Sequence, residues 1–88
     1  EYIEGAGTDS WWNSETDEYE YEVWPGYWTG DPTFTYEWYW GTAPDGDLIA
    51  GETSDIFVTD SYGPVFVKII ATSGGCTSSI LEQAQYYD

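Results

Sequence analysis

An unbroken two-residue alternation from Thr33 to Trp40 is the feature that most constrains the fold of this 88-residue chain. Alternate residues of a strand point to opposite faces of a sheet, whereas a helix would spread the same residues around its circumference. One face of the alternation is entirely aromatic and consists of Phe34, Tyr36, Trp38 and Trp40. We therefore predict a half-buried β-strand whose aromatic face forms the base of the core.

Alternation and turn residues divide the rest of the chain into further short strands, which we predict at 1–3, 18–23, 48–50, 55–59, 65–72 and 76–81. Segments 5–10 and 41–47, rich in Gly, Asp and Thr, are predicted as loops. The clearest strand is 18–23, in which glutamates alternate with larger residues. About seven short strands without any helical period predict an all-β fold, an antiparallel β-sandwich.

The alternation also assigns the inward face of each predicted strand. The inward side chains are Tyr19, Tyr21, Val23, Phe34, Tyr36, Trp38, Ile49, Ile56, Val58, Val65, Val67, Ile69 and Ala71. Phe66, Lys68 and Ile70 are predicted to point outward, and the glutamates of 18–23 are expected to form a solvated face that blocks edge-to-edge pairing.

The charge of the chain is strongly one-sided, with 17 acidic residues, one basic residue and a formal net charge of −16. Phosphate contacts need clustered Lys and Arg, so nucleic acids and anionic membrane surfaces are not expected partners. No apolar run approaches the ~18 residues of a membrane span. Salt screens such repulsion, which fits an extracellular setting.

Cys76 is the single cysteine, so no disulfide can form within the chain. A lone cysteine is most often a small buried residue, and the alternative is a bridge between chains. Because the chain begins at Glu1 and contains no methionine, we expect it to be a processed or excised segment, or a chain whose start was not observed.

Catalysis is disfavoured by the residue inventory, since the chain has no histidine and Lys68 is its one basic residue. Neither a Ser-His pair nor a His-metal site can be built, and we expect no enzyme activity and no cofactor. Asp45, Asp47 and Glu52 are the candidate ligands for Ca²⁺, which prefers oxygen donors. Their spacing does not match an EF-hand loop, and the plainer interpretation is a turn with Asp at its first position.

The residues from Pro25 to Tyr39, PGYWTGDPTFTYEWY, resemble the immunoglobulin-like repeat domains of phage virion proteins and bacterial surface proteins. Further matching segments follow in the same order at 49–54, at Asp60 with Gly63, and at 67–75. The resemblance covers residues 18–82. It implies an immunoglobulin-like sandwich in which Trp38 is the buried central tryptophan, and a role in surface decoration, spacing, adhesion or assembly rather than catalysis.

Residues 1–17 and 83–88 lie outside this resemblance, and we interpret them as an aromatic-containing N-terminal segment and a C-terminal tail. The N-terminal segment is expected to contact a partner or to fold back as an edge strand. Linkers are usually poor in large rings, so we favour packing of at least one end on a neighbouring subunit.

Exposed aromatic side chains are the candidate contact sites on the surface, either for a protein partner or for a sugar ring. The candidates are Tyr2, Trp11, Trp12, Trp24, Tyr39, Trp40, Tyr86 and Tyr87. The sequence favours a structural or decoration subunit on a phage particle or extracellular appendage that contacts copies of itself or a scaffold protein. The alternative is a carbohydrate-binding adhesin module that uses a surface glycan.

Overall fold

The computed structural model describes residues 1–61 and 63–84, and all regular structure in this part of the chain is β-strand. Nine strands are present: β1 (Tyr2–Glu4), β2 (Gly7–Asn13), β3 (Glu18–Trp24), β4 (Tyr27–Trp28), β5 (Thr33–Thr42), β6 (Asp45–Leu48), β7 (Ile56–Thr59), β8 (Val65–Ser73) and β9 (Cys76–Ala84). The predicted all-β class is confirmed. The sequence missed two of the strands, β2 and β4.

The strands form three antiparallel sheets, with the orders β1-β4, β2-β3-β7 and β6-β5-β8-β9. Side chains from the second and third of these sheets meet in one buried cluster, so the two sheets pack face to face in a sandwich-like arrangement. The small β1-β4 sheet adds Trp28 to the edge of that cluster.

The centre of the core is Trp38, whose side chain is fully buried, as the predicted register of β5 requires. Its ring stacks on Phe57 with a centroid distance of 5.5 Å. Its indole Nε1 donates a hydrogen bond of 2.7 Å to the carbonyl of Ser54, so the one polar atom of the ring is satisfied.

Most of the predicted inward side chains are confirmed. Tyr21, Val23, Val65, Val67, Ile69 and Ala71 are buried with Trp38, and Tyr19, Phe34, Tyr36 and Ile49 pack against the core cluster.

The predicted face of β7 is wrong. Ile56 and Val58 are 39% and 40% exposed, whereas Phe57 between them is buried. The register pairs Phe57 with Tyr21 of β3, and its ring fills the space between Tyr21 and Trp38. Burial of one large ring on the inner face of this strand is therefore more favourable than burial of two smaller β-branched side chains.

Phe66 lies on the outer face of its sheet, as predicted, yet it is 2% exposed. Its ring stacks on Tyr39 at 4.8 Å and 4° and also lies against Gly46 of β6, where a Cβ would come within 2.6 Å of it. Only glycine fits at this position, which lies in a strand although 41–47 was predicted as a loop. Strand β6 occupies 45–48, ahead of the predicted strand at 48–50.

Both ends of the described chain belong to the same fold as the middle. Residues 7–10 of β2 were predicted as a loop, but β2 pairs with β3 along its whole length. It forms one edge of the three-stranded sheet, which is the edge-strand alternative given for the N-terminal segment. Strand β9 runs to Ala84, which is fully buried, so the predicted tail does not begin at residue 83. The candidates Tyr86 and Tyr87 lie outside the described residues.

Candidate functional site

The outer face of the three-stranded sheet combines acidic and exposed apolar side chains. The register places Trp11 beside Glu20, and Glu20 beside Val58 on the next strand. Further members of this surface, here called the acidic face, are Asp9, Asn13, Glu18, Glu22, Trp24 and Ile56. The amide of Asn13 donates a 2.6 Å hydrogen bond to Glu20, and no basic residue lies on this face.

Trp24 lies across Gly7, its partner on β2, and is 42% exposed. A Cβ on Gly7 would sit 3.3 Å from the indole nitrogen of Trp24, so the ring covers the glycine on the surface of the sheet. Trp11, 36% exposed, follows Gly7 by four residues on the same face. That separation is about 14 Å along the strand. Of the predicted contact residues that the structure describes, only Trp11 and Trp24 share this face.

The other described candidates lie elsewhere, and several are partly covered. Trp12 points to the inner side of β2, opposite to Trp11, and packs edge-on against Tyr19 at 4.7 Å. Tyr2 packs edge-on against Trp28, and Trp40 packs against Phe57 in the core. The described aromatic candidates therefore do not form one continuous binding surface.

The outer face of the four-stranded sheet, here called the neutral face, has a different character. Its charged members are Glu37 and Lys68, which lie directly opposite each other on β5 and β8. Tyr39 donates a 2.9 Å hydrogen bond to Glu37, and this bond raises the pKa of the Tyr39 hydroxyl. Leu48 and Leu81 are exposed on this side, at 57% and 41%.

A side-chain clamp holds one end of the neutral face together. The Gln83 amide donates to the carbonyls of Val65 at 2.8 Å and Gly41 at 3.3 Å, and its oxygen accepts a 2.8 Å hydrogen bond from the Ala43 backbone. These bonds connect β9 across β8 to the β5–β6 hairpin and fix the end of the sheet around Phe66.

The proposed Ca²⁺ ligands do not converge in the structure. Asp45 and Asp47 lie on β6, and Glu52 lies beyond the end of that strand. No group of three or more acidic or cysteine side chains that could hold a metal ion occurs within residues 1–61 and 63–84.

Cys76 is exposed at the start of β9, so the prediction of a small buried residue is wrong. It follows the Gly74–Gly75 turn, a position at the end of the sheet that no core side chain covers.

Glu82 is an acidic residue on the inner side of an edge strand. It lies opposite Val67, and desolvation by the surrounding protein raises the pKa of its carboxyl group. Sequence analysis did not single it out, although its position two residues after Ile80, a residue that packs on the core, indicates the same face of β9.

Sequence analysis also missed the aliphatic part of the exposed surface. The exposed aliphatic residues are Ile3, Leu48, Ile56, Val58 and Leu81, and among the described aromatic residues Tyr27 is the most exposed at 70%. For Ile56 and Val58 the cause is the wrong face assigned to β7. Nothing in the local pattern of Ile3 or Tyr27 marks them as exposed.

Comparisons with family models, with curated proteins and with solved structures gave no match to this chain. The described residues include no helix of the length and apolar character needed to cross a membrane.

Proposed function

We propose that this chain is a non-catalytic structural subunit or decoration domain that assembles with copies of itself or with a scaffold protein. The observation that carries the proposal is the distribution of exposed apolar side chains over both outer faces and the β1-β4 sheet. Such side chains are favourable in an assembly that covers them, and apolar patches on a surface mark protein contacts more often than other sites.

The proposed fold is immunoglobulin-like, with Trp38 as its central tryptophan. Support comes from the face-to-face packing of the two larger sheets and from the burial of Trp38 between them. The proposed setting is the outside of a phage particle or an extracellular appendage. A net charge of −16 supports this setting, because high salt would screen the repulsion between copies.

Sedimentation equilibrium of the wild-type chain in high salt tests the proposal. We expect reversible association that increases with protein concentration. A chain that stays monomeric at about 1 M salt, where the Debye length is about 3 Å, would contradict self-assembly.

Glycan binding is the second candidate function, and the position of Trp24 favours it. A ring that lies on the sheet over Gly7 offers a platform for a sugar, and Trp11 lies on the same face. At about 14 Å, the two rings would contact separate sugar units of one chain. Quenching of tryptophan fluorescence by a glycan in wild type, lost in Trp24→Ala and kept in Trp12→Ala, would establish this function over assembly.

A further inference from the structure

We propose that the exposed edge of β9 is the surface on which a second copy of this chain pairs, through its own β9, in antiparallel orientation. The inference rests on the proposed function and names the surface and the partner of the assembly. It follows from the direction of the backbone groups of β9, from their lack of partners and from the charge of the strand.

The turn before β9 fixes which backbone groups face outward. Gly74 and Gly75 have φ values of 57° and 84°, so the β8–β9 turn is a two-residue hairpin turn of type I′. Its flanking residues, Ser73 and Cys76, form a hydrogen-bonded pair, and hydrogen-bonded pairs then alternate along the ladder.

By this alternation, Thr77, Ser79, Leu81 and Gln83 direct their N–H and C=O groups away from β8. The contact at Gln83 agrees with this direction, since its carbonyl accepts a 3.4 Å hydrogen bond from the Thr8 hydroxyl of β2. Among residues 1–61 and 63–84, no group is bonded to the outward backbone of Thr77, Ser79 or Leu81. These three residues present a free edge.

Charge distinguishes this edge from the others. Residues 76–81 carry no charge and include no proline, and β9 is nine residues long. Natural edge strands are usually protected by charge, proline or short length. The remaining edges of the two larger sheets show such protection. Strand β6 is four residues long with Asp45 and Asp47, β7 is four residues long between Asp55 and Asp60, and β2 contains Asp9.

A second copy fits the edge because the strand is complementary to itself. A two-fold axis at Ser79 sets Ser79 opposite itself and Thr77 opposite Leu81, so three residue pairs exchange six backbone hydrogen bonds. Glu82 then lies opposite Cys76 of the other copy. The two Glu82 carboxylates are separated by six residue positions, about 20 Å, which exceeds a Debye length of about 8 Å at physiological salt.

The charge distribution of the chain favours a second copy, rather than a basic protein, as the partner at the β9 edge. A basic partner would be attracted to the acidic face, which carries Asp9, Glu18, Glu20 and Glu22. Two copies of a chain with net charge −16 repel each other least where the local charge is zero. The result is a dimer in which the two four-stranded sheets form one continuous sheet. Three residue pairs make a small contact, so the dimer is weak and forms at high protein concentration.

Disulfide trapping tests the register directly, with Cys76→Ser as the background for both variants. In Ser79→Cys the two new cysteines have Cα atoms about 5.5 Å apart, which is within the range for a disulfide. In the matched control Thr77→Cys, on the same strand and face, they are about 14 Å apart. Under mild oxidation we expect a covalent dimer from Ser79→Cys and none from Thr77→Cys. Equal trapping of both variants, or trapping of Thr77→Cys alone, would overturn the pairing.

A second pair of variants tests the backbone hydrogen bonds. Ser79→Pro removes an N–H that faces the free edge but none that bonds to β8, and Ser79→Ala keeps the N–H. We expect loss of dimerisation in Ser79→Pro at a wild-type melting temperature, and a wild-type dimer in Ser79→Ala. If Ser79→Pro unfolds, the disulfide-trapping experiment alone tests whether the β9 strands pair. If wild type associates in sedimentation but Ser79→Cys is not trapped, the β9 interface is wrong and the proposed function stands. If wild type does not associate at all, both the β9 interface and the proposed self-assembly are wrong.

Discussion

Trp38 shows what a single residue contributes to this fold, because it combines ring packing with a hydrogen bond. The sequence predicted its burial from the alternation of 33–40, and the structure confirms it. The bond from its Nε1 to the Ser54 carbonyl was not predictable, since it depends on the path of a segment 16 residues further along.

Trp38→Ala should reduce the free energy of unfolding by about 3–5 kcal/mol. The substitution removes the ring that stacks on Phe57 and leaves the Ser54 carbonyl without its donor. Tyr27→Ala is the control, because Tyr27 is 70% exposed, and it should change stability by no more than about 0.5 kcal/mol. Urea denaturation measures both. Similar stability of the two variants would show that Trp38 does not occupy the core.

Glu82 makes the stability of the folded chain depend on pH through a single carboxyl group. Desolvation raises its pKa above the ordinary value of 4.5 in the folded chain, so the folded state binds the proton more tightly than the unfolded state. Its contribution to stability is therefore fully present below pH 4.5 and is lost as the pH rises through the folded-state pKa.

Glu82→Gln should accordingly melt at a higher temperature than wild type at neutral pH, and the difference should shrink towards about pH 3. Glu15→Gln, an exposed loop variant with the same change in net charge, separates this effect from the general relief of repulsion. A gain in melting temperature that is equal for the two variants at every pH would contradict desolvation of Glu82.

At the scale of strands, alternation identified the long central strands but not the face of short ones. In 55–59, alternation allows either Ile56 with Val58 or Phe57 to face the core, and only the pairing of β7 with β3 decides between them. Residues 7–10 of β2 were missed as a strand because Thr8 and Ser10, two of the three inward residues of β2, are small and polar. Their inward direction follows from the register with β3 rather than from hydrophobic alternation.

The same limits apply to the candidate site. Trp11 and Trp24 were predicted as contact residues, and both are exposed on one face. Ile56 and Val58 on that face were missed, because their exposure depends on the register of β7. The free edge of β9 was not predicted either, since it depends on sheet order rather than on any local pattern.

The observed register of β7 leads to a direct comparison within one strand. Phe57→Ala should cost about 3–5 kcal/mol of stability, because it empties the space between Tyr21 and Trp38. Val58→Thr keeps a β-branched shape on the exposed side and should stay within about 0.5 kcal/mol of wild type. Thermal or urea denaturation of the two variants gives the answer, and a larger loss in Val58→Thr would restore the face that the sequence had assigned.

For the whole molecule, the net charge of −16 opposes both folding and association. Many acidic residues lie on the acidic face and on the loops, and others are Asp45 and Asp47 on β6 and Glu82 on the inner side of β9. The neutral face, in contrast, carries Glu37 opposite Lys68. The neutral face and the adjoining edge of β9 therefore carry little charge, and copies of the chain can approach each other there.

The melting temperature should rise between about 10 mM and 1 M NaCl, over which the Debye length falls from about 30 to 3 Å. Ca²⁺ and Mg²⁺ at equal ionic strength should raise it equally, since the candidate ligands Asp45 and Asp47 do not converge with Glu52 on one site. A melting temperature that is unchanged or lower in salt would contradict the role of repulsion, and an extra effect of Ca²⁺ would revive the metal site.

Amide hydrogen exchange along β9 tests whether copies of the chain assemble through its uncharged edge. In the isolated chain, the amides of Ser78 and Ile80 bond to β8, whereas those of Ser79 and Leu81 face outward. At about 1 M salt, we predict that protection of Ser79 and Leu81 grows with protein concentration while that of Ser78 and Ile80 is present throughout. Ser79 and Leu81 amides that exchange freely at concentrations where sedimentation shows a dimer would contradict the claim.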